Sequence, residues 1–427
     1  MRKTPEKLIL EPTTRCNFKC DMCVRQSKGC SIAEGDLGND VFSRCESLFP
    51  HLTSVVFTGI GEPLLNKKLE NYISRARDLM PEKSFRGFQT NGKLLTKERA
   101  ISLFRSGLNK TCISVDTVRP GLFDTVRKGG DLSDVDHAFD SLKNARRKVP
   151  LAQIRIGIEF VLMKKNMEEL PLLVEWAQKR QVDFIIVTHL TAYEKHLENQ
   201  IVFLNNSFEA LALFEIFRKK AIEKDVDIMQ YDKILWKFYK SDKDIEIYKL
   251  VEALKDEALK QGLYVNLFHL LSEPRGEYDR IRDIFERALG KAKKYGIELI
   301  LPEIRPKTHR KCSFIEDNSY FVSWDGNVSP CYFLWHRYNV MRMGSVKQVT
   351  PVFFGNVLEE TPEIIWQSDA FETFRTKVKQ YDYPNCHAWC EIRCDYVLDE
   401  PFYQDCYIND IPCCDCHWNL GLLNCMV

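Results

Sequence analysis

Three cysteines stand within eight residues in the sequence Cys16-Asn17-Phe18-Lys19-Cys20-Asp21-Met22-Cys23. Their spacing is C-x3-C-x2-C, and they follow an apolar run, Leu8-Ile9-Leu10, that is typical of a buried strand. We therefore expect the cysteines on the loop after that strand. Three thiolates on one loop can hold three irons of a [4Fe–4S] cube and leave the fourth iron open to a small molecule. A structural zinc knuckle is the alternative, but the nearest further ligand, Cys30, stands at no familiar spacing, so the cluster is favoured.

Length and charge set the broad class. A chain of 427 residues with 44% hydrophobic residues is long enough for two or three domains with buried cores. Lys and Arg number 61 against 60 Asp and Glu, so no overall field favours nucleic acid or an anionic membrane, and we expect neither as a partner. We see no secretory pattern after Met1 and no apolar run of the ~20 residues that a membrane span needs, so a cytoplasmic location is expected.

The 16 cysteines fall into two groups. Five lie in residues 1–45, one is Cys112, and ten lie in residues 312–425. A disulfide scaffold is usually short and secreted, whereas this pattern favours a cytosolic metalloprotein. Oxygen-sensitive clusters would suit an anaerobic or microaerobic cell. Cys30, Cys45 and Cys112 are interpreted as buried free thiols, with Cys30, near the cysteine loop in sequence, also a candidate for a further role.

Strand-like and helix-like segments alternate from residue 7 to about residue 200. The predicted strands are residues 7–11, 54–58, 86–90, 111–115, 154–162 and 183–188, and the helices between them include residues 66–79, 97–105, 135–147 and 167–180. Such alternation predicts an α/β fold with parallel strands and right-handed crossovers. The pattern fits both an open barrel of six units and a doubly wound sheet.

Polar residues and glycines follow several of these strands, where α/β folds place their ligand sites. They are Gly59, Gly61, Glu62 and Pro63 after the second strand, Asn91 after the third, and Ser114 and Asp116 after the fourth. The glycines allow close approach of backbone to a ligand, and Glu62 could accept hydrogen bonds from an ammonium group. Ser114 and Asp116 could bind ribose hydroxyls. Each motif alone also fits an ordinary turn or cap.

The cysteine loop, with Met22 before its last cysteine, resembles the signature of radical S-adenosylmethionine (radical SAM) enzymes. Gly61-Glu62-Pro63 resembles the family's GGEP motif, although Ile60 replaces its first glycine. The resemblance implies a partial (βα)6 barrel in which Cys16, Cys20 and Cys23 hold a [4Fe–4S] cluster. It also implies that SAM contacts Gly59, Gly61, Glu62, Pro63, Asn91, Ser114, Asp116, Glu159 on the fifth strand and His189 at the end of the sixth.

Residues 201–305 are predicted to form a helical insertion, with helices at 208–223, 245–261 and 278–295. The chain is thus divided into a barrel (1–200), this insertion and a cysteine-rich domain (306–427). The aromatic residues Tyr231, Trp236, Phe238 and Tyr239 are interpreted as core or helix packing.

A hairpin is predicted near the start of the last domain. Asp325-Gly326 lies between alternating apolar residues, and the turn should bring Cys312 and Cys331 together. The spacing C-x(9–15)-G-x4-C resembles the opening of the SPASM domain, the auxiliary iron–sulfur extension of radical SAM maturases. The remaining C-terminal cysteines are Cys386, Cys390, Cys394, Cys406, Cys413, Cys414, Cys416 and Cys425. Their spacing departs from the common SPASM pattern and resembles the subgroup described as tungsten-oxidoreductase cofactor-modifying or metalloenzyme maturase proteins.

Two auxiliary [4Fe–4S] clusters with full cysteine ligation would use eight thiolates, and ten are available. Cys414 and one of Cys390 and Cys394 are interpreted as spare. The candidate ligands are therefore Cys312, Cys331, Cys386, Cys390, Cys394, Cys406, Cys413, Cys416 and Cys425. Two zinc ribbons are the alternative, since they also use sets of four cysteines.

The resemblance implies reductive cleavage of SAM to a 5′-deoxyadenosyl radical that abstracts hydrogen from a peptide, a protein or a metalloenzyme cofactor. The auxiliary clusters would transfer electrons, and a reducing partner such as ferredoxin or flavodoxin would supply them. The alternative is a non-catalytic, ferredoxin-like electron carrier or iron–sulfur scaffold. Such a protein does not bind SAM, so it would not require the Gly-Glu-Pro and Ser-x-Asp motifs at the strand ends.

Overall fold

A central sheet organises the molecule. The structure is a computed structural model, and it describes residues 3–149, 154–274, 276–342, 344–383, 408–414 and 416–426. The strands of the sheet are β1 (Lys7–Leu10), β2 (Ser54–Phe57), β3 (Phe85–Thr90), β4 (Lys110–Ser114), β5 (Arg155–Leu162), β6 (Phe184–His189), β7 (Glu298–Ile300), β8 (Ser319–Val322) and β9 (Val328–Ser329). Their order is β7-β6-β5-β4-β3-β2-β1-β8-β9, and every neighbouring pair is parallel except β8 and β9. The predicted α/β class is confirmed.

The helices that connect the first six strands cover one face of the sheet, and further helices follow in the rest of the chain. The helices are α1 (Asn39–Cys45), α2 (Leu69–Leu79), α3 (Lys97–Arg105), α4 (Pro120–Val126), α5 (Leu132–Lys148), α6 (Leu170–Lys179), α7 (Lys195–Glu198), α8 (Phe208–Glu223), α9 (Tyr231–Leu235), α10 (Asp242–Lys260), α11 (Leu267–Ser272), α12 (Glu277–Tyr295), α13 (Ser313–Glu316), α14 (Pro362–Gln367) and α15 (Asp369–Gln380). Asp131 caps α5 in a capping box with Asp134, and the helix buries Val135, Phe139 and Leu142 against the strands.

The other face of the sheet carries a second, smaller apolar cluster. Val56, Cys112 and Ile186 alternate with residues that face the helices, so they point to the inner side of the sheet. Met426, from the C-terminal tail, packs among them. Asn424 of the same tail donates from its backbone N–H to Thr188 Oγ1 at 3.2 Å. The tail therefore packs on the inner face of the sheet, against β2, β4 and β6.

Two strands from outside the six predicted units extend the sheet. β8 pairs in parallel with β1, with Leu8 opposite Tyr320, and turns through the predicted hairpin into β9. Gly326 in that turn has a φ of +90°, which favours glycine. β7 pairs with β6 at the opposite edge. A separate hairpin is formed by β10 (Tyr338–Arg342) and β11 (Ser345–Val349).

The helical insertion has its own core. Helices α8 to α11 share an apolar cluster that includes Phe214, Phe217 and Leu254. Helix α12, by contrast, packs against α6 and contributes Ile284 and Phe285 to the core of the barrel. The domain boundaries at residues 200 and 305 stay a prediction. Across the described residues, we find no helix with the length and apolar character that a bilayer crossing requires.

The aromatic residues of the insertion do not share one environment. Tyr231 is buried, as expected for core packing, but Trp236 is 87%, Phe238 107% and Tyr239 83% exposed. The interpretation as core or helix packing is therefore wrong for these three. The reason is local: α9 ends at Leu235, so they lie on the connection to α10 and not on a helix face.

Candidate functional site

The three cysteines of the first motif lie on the loop after β1, as predicted. Cys23 N–H donates to Cys20 O at 3.0 Å, and Phe18 N–H donates to Cys16 Sγ at 3.4 Å. Burial raises the pKa of all three thiols, to about 12 for Cys23, and the thiols of Cys20 and Cys16 raise that of Cys23 further. The three half-buried thiols on this one loop therefore interact with one another, and such a donor set fits an iron–sulfur cluster.

A single metal ion would require a different geometry. Within the described ranges, no group of three His, Cys, Asp or Glu side chains is placed to hold one ion. A [4Fe–4S] cube does not require such convergence, because each thiolate binds a different iron.

The loop after β2 lies directly against the cysteine loop. A Cβ on Gly61 would come within 2.3 Å of Thr13 O and 2.5 Å of Arg15 O, both backbone atoms, so a larger residue would separate the two loops. Glu62 N–H donates to Arg15 O at 2.8 Å. A Cβ on Gly59 would come 2.5 Å from Cγ of Glu11. Both glycines are therefore required by close packing of the loops.

The Glu62 carboxylate holds the loops after β2 and β3 together. It accepts hydrogen bonds from Leu64 N–H at 3.1 Å, Thr90 Oγ1 at 2.7 Å and Asn91 N–H at 2.7 Å. It is 2% exposed, and burial raises its pKa. Pro63 begins the short turn that Glu62 caps. The predicted contact of Glu62 with an ammonium group stays a prediction.

The loop after β3 reaches the cysteine loop through Asn91. Its Nδ2 donates to Asn17 Oδ1 at 2.7 Å and lies 3.9 Å from Cys16 Sγ. The side chain of Asn91 is buried. It therefore links the loop after β3 to the cysteine loop from inside the protein.

Asp116 contacts other residues of the protein through both carboxylate oxygens. Its Oδ2 forms an ion pair with Arg127 Nε at 2.6 Å, and its Oδ1 accepts from Val161 N–H at 2.8 Å. The carboxylate is completely buried and both oxygens contact the protein, while the predicted contact with ribose hydroxyls stays a prediction. Its observed contacts position Arg127.

Arg127 is a site residue that the sequence reasoning missed. Burial opposes its charge, but Asp116 and Cys20 raise its pKa and keep it protonated. The guanidinium in turn lowers the pKa of Cys20 against the effect of burial. Its position directly after α4 resembles that of a surface arginine, so the sequence carried no signal that it would be buried beside the cysteine loop.

Ser114, the last residue of β4, and Glu159, within β5, lie side by side as register partners. Ser114 Oγ accepts from Gln89 Nε2 at 3.5 Å. Burial raises the pKa of Glu159 to about 7, although Arg127 acts in the opposite direction. A carboxyl group that titrates near neutral pH and faces a fixed cation is typical of functional sites.

His189 lies away from these residues. It follows Thr188, so it points to the opposite side of β6, where Nε2 bonds to Glu303 O at 2.9 Å and the ring packs edge-on against Phe203 at 5.3 Å. It is 2% exposed, and burial lowers its pKa to about 4. The prediction that His189 contacts SAM is therefore corrected to a structural role.

A second group of thiols lies in the C-terminal region: Cys312, Cys331, Cys413 and Cys416. All four are buried. Burial raises the pKa of each thiol, and at Cys413 the other three add to the rise, so the four thiols interact electrostatically. Within the described residues they do not converge on a position for one metal ion. The predicted hairpin is present as β8 and β9, and Cys312 raises the pKa of Cys331, while their joint binding of a cluster stays a prediction. The tail contributes Cys413 and Cys416.

The other C-terminal cysteines differ in their surroundings. Cys414 Sγ lies 3.7 Å from Nζ of the buried Lys347. Burial raises the pKa of Cys425 to about 12, with a further contribution from Glu159. Cys312 also raises the pKa of Cys425, so Cys425 interacts electrostatically with both Glu159 and Cys312. The remaining predicted ligands, Cys386, Cys390, Cys394 and Cys406, lie outside the described residues.

Comparison with known proteins gives two family matches. The sequence model of the Radical SAM superfamily matches residues 10–177, and that of SPASM, an iron–sulfur cluster-binding domain, matches residues 312–395. The tungsten-containing aldehyde ferredoxin oxidoreductase cofactor-modifying protein of Pyrococcus furiosus is 28% identical over 426 residues, which cover 98% of this chain and 97% of that protein.

Two further comparisons are less extensive. The Fe-coproporphyrin III synthase of Methanosarcina barkeri is 26% identical over 225 residues, 51% of this chain and 52% of that protein. Among solved structures, Streptococcus suis SuiB bound to the precursor peptide SuiA gives a TM-score of 0.49 at 14% identity, covering 93% of this chain and 73% of that one.

Proposed function

We propose that this chain, which combines a radical SAM domain with a SPASM iron–sulfur domain, reductively cleaves SAM and uses the resulting radical to modify a metalloenzyme cofactor. One observation carries the proposal. The loops after β1, β2 and β3 are bonded to one another around three clustered thiols, with the buried cation of Arg127 beside them.

The radical SAM domain binds a [4Fe–4S] cluster and SAM, and the SPASM domain binds auxiliary iron–sulfur clusters. When bound, the cluster and SAM supply one-electron cleavage of the sulfonium to methionine and a 5′-deoxyadenosyl radical. Cys16, Cys20 and Cys23 are the thiolates that would hold the cluster.

The protein's own groups provide position and charge. Arg127, fixed by Asp116, provides a buried positive charge that suits the carboxylate of the methionine moiety. Glu62 fixes the backbone of two loops, so that their groups meet the ligand without reorganising. Ser114 and Glu159 are the polar groups on the inner face that would meet the adenosine.

Cys312, Cys331, Cys413 and Cys416 are the described thiols that would hold one auxiliary cluster. β8, which follows Cys312, pairs with β1, the strand that leads to the first cysteine loop. This pairing supports a fixed relation between the two centres, as electron transfer requires. A reducing partner such as ferredoxin or flavodoxin would supply the electrons.

Similarity along almost the entire chain to a cofactor-modifying protein supports a metalloenzyme cofactor as the substrate. Modification of a peptide or protein is the competing hypothesis. The two are distinguished by supplying an immature tungsten- or molybdenum-dependent oxidoreductase together with SAM and dithionite. Recovery of oxidoreductase activity that depends on SAM would support the proposal, and its absence with SAM cleavage intact would exclude that substrate.

A non-catalytic electron carrier is the alternative of a different class. It predicts that the fully reconstituted protein, reduced with dithionite, forms neither methionine nor 5′-deoxyadenosine from SAM. The proposed enzyme forms both in equal amounts. Cys30→Ala is a suitable control variant, because Cys30 lies near the loop but outside the C-x3-C-x2-C motif.

A further inference from the structure

A carboxylate and an imidazole join the barrel to the C-terminal region at the end of β1. Glu11 directly follows β1, and its side chain is fully buried. Nε2 of His336 lies 3.0 Å from each of the two carboxylate oxygens. The side chain of His336 is 12% exposed, so the pair is largely withdrawn from water. The contact therefore ties the strand that leads to the first cysteine loop to a residue shortly after Cys331.

His336 is the main partner of this buried carboxylate. A carboxylate accepts hydrogen bonds, so Nε2 of His336 is the donor. In the part of the chain that the structure describes, one further donor reaches the carboxylate: Ile60 N–H, at 3.4 Å from Oε1 of Glu11. A buried carboxylate without hydrogen-bond donors is strongly destabilised. The position of the Glu11 side chain therefore depends on His336.

The same carboxylate supports the loop after β2. Besides the hydrogen bond from Ile60 N–H, the backbone of Gly59 lies directly against Glu11. A Cβ on Gly59 would come 2.5 Å from Cγ and 2.7 Å from Oε1 of Glu11. Gly61 and Glu62, which the family resemblance relates to SAM binding, follow in this loop. A shift of the Glu11 carboxylate would therefore move the backbone of a loop proposed to meet SAM.

The imidazole is held in turn by an aromatic cluster. The ring of Trp335 lies 5.1 Å from that of His336. Trp335 packs edge-on against Phe321 at 5.3 Å and against Tyr332 at 5.0 Å. Phe321 belongs to β8, which is paired with β1. His336 therefore approaches Glu11 from a packed part of the C-terminal region.

A second contact between the same two parts of the chain lies at the other end of β1. Lys7, the first residue of β1, pairs with Asp317 at 2.8 Å, with their side chains 22% and 42% exposed. Lys7 is the register partner of Ser54, the first residue of β2, so this ion pair lies at the opposite edge of the sheet from the loop after β2. It joins the barrel to the C-terminal region without supporting that loop.

We propose that His336 is a positioning residue for SAM: through Glu11 it fixes the backbone of Gly59 and Ile60 and so holds the loop after β2 ready for the ligand. A loop that is already held in its binding conformation loses less freedom when the ligand binds, so the affinity is higher. The inference deepens the proposed function, on which it rests, by giving the C-terminal region a part in SAM binding.

Two amides of different reach separate this role from simple packing. The amide N–H of Gln reaches about as far from the backbone as Nε2 of histidine, whereas the amide of Asn ends near the position of Nδ1. We expect His336→Asn to weaken SAM binding about tenfold and His336→Gln to stay within about threefold of the unaltered protein. SAM affinity is measured by isothermal titration of the reconstituted full-length protein before reduction. Unchanged affinity in a folded His336→Asn, or an equal loss in both variants, would overturn the proposal.

Glu11→Gln tests the other half of the contact. The amide keeps the shape of the side chain but loses the charge and one acceptor oxygen, so we expect SAM binding to weaken about tenfold. The double variant Glu11→Gln/His336→Asn should be no weaker than either single variant, because both changes remove the same contact. Additive losses of about a hundredfold together would show that the two residues act separately and would contradict the proposal. Glu11→Gln also decides the question if His336→Asn fails to fold.

The matched control is Asp317→Asn, which removes the ion pair at the other end of β1 and should leave SAM affinity unchanged. The rate of 5′-deoxyadenosine formation at varied SAM concentration provides a second readout. We expect His336→Asn to raise KM for SAM and to keep kcat within about twofold, because the loop positions SAM and takes no part in breaking its bond. A lower kcat with an unchanged KM would contradict the positioning role.

SAM cleavage by the unaltered protein tests the proposed function independently. Normal cleavage together with unchanged SAM affinity in folded His336→Asn and Glu11→Gln would refute only the role of His336. SAM binding without cleavage in the unaltered protein would refute the proposed function, and the affinities of the variants would still decide the role of His336. Absence of SAM binding in the unaltered protein would refute both.

Discussion

Replacing Asp116 by Asn separates two roles for this residue. If Asp116 positions Arg127, the change leaves the guanidinium buried beside a neutral amide. Removing one partner of a buried ion pair costs about 3–5 kcal/mol, because the remaining charge is uncompensated. Asn can still accept the hydrogen bond from Val161 N–H, so the lost charge accounts for the effect. We expect a loss of that size, with weaker SAM binding as Arg127 shifts.

The assay is urea unfolding of the reconstituted protein, followed by tryptophan fluorescence, with SAM affinity measured separately. Asp136→Asn is the matched control, because Asp136 bonds to Arg180 Nε at 2.6 Å with 42% of its side chain exposed. Exposed pairs contribute less than about 1 kcal/mol, so the control should change little. Unchanged unfolding of Asp116→Asn together with weaker SAM binding would refute the positioning role and restore the ribose contact.

Three other predictions follow from single contacts. Gly61→Ala should lower SAM affinity and destabilise the protein by about 1–3 kcal/mol or more, measured by titration and urea unfolding, because its Cβ would collide with two backbone carbonyls. His189 has a pKa of about 4 when folded against 6.5 for the free side chain, so it binds fewer protons in the native state. About 3 kcal/mol of stability should therefore be present above pH 6.5 and be lost as the pH falls toward 4, and His189→Gln should remove this part of the pH dependence. Changing Trp236, Phe238 and Tyr239 together to Ser should leave the unfolding midpoint within experimental error, because all three are exposed; a large loss would show that they pack in a core.

The alternation of strands and helices could be predicted because its signals are local, whereas the choice of a barrel came from the family resemblance. An apolar run such as Leu8-Ile9-Leu10, ending at a cluster of cysteines, marks both a strand and the loop after it. Gly61 was identified as a site of close backbone approach, but the expected neighbour was a ligand, whereas the structure places the backbone of the cysteine loop there.

Other features depend on partners distant in sequence. The role of Asp116 depends on Arg127, which lies on the far side of α4, and no periodicity relates the two. His189 occupies the end of the expected strand, but the side of the sheet to which it points decides its partner, Glu303. The pairing of β8 with β1 joins residues more than 300 positions apart, which a pattern of local segments does not contain.

The exposure of Trp236 was missed for a related reason. An aromatic residue next to a helix is usually buried, and composition alone could not show that α9 ends one residue earlier.

The central claim is that Cys16, Cys20 and Cys23 hold the centre that cleaves SAM. Its most direct test is the amount of 5′-deoxyadenosine formed from SAM and dithionite by three reconstituted proteins: the unaltered chain, Cys16→Ala/Cys20→Ala, and Cys312→Ala/Cys331→Ala. We predict that the first double variant forms none, while the second, if it stays folded, still forms it. Undiminished formation by Cys16→Ala/Cys20→Ala would contradict the claim.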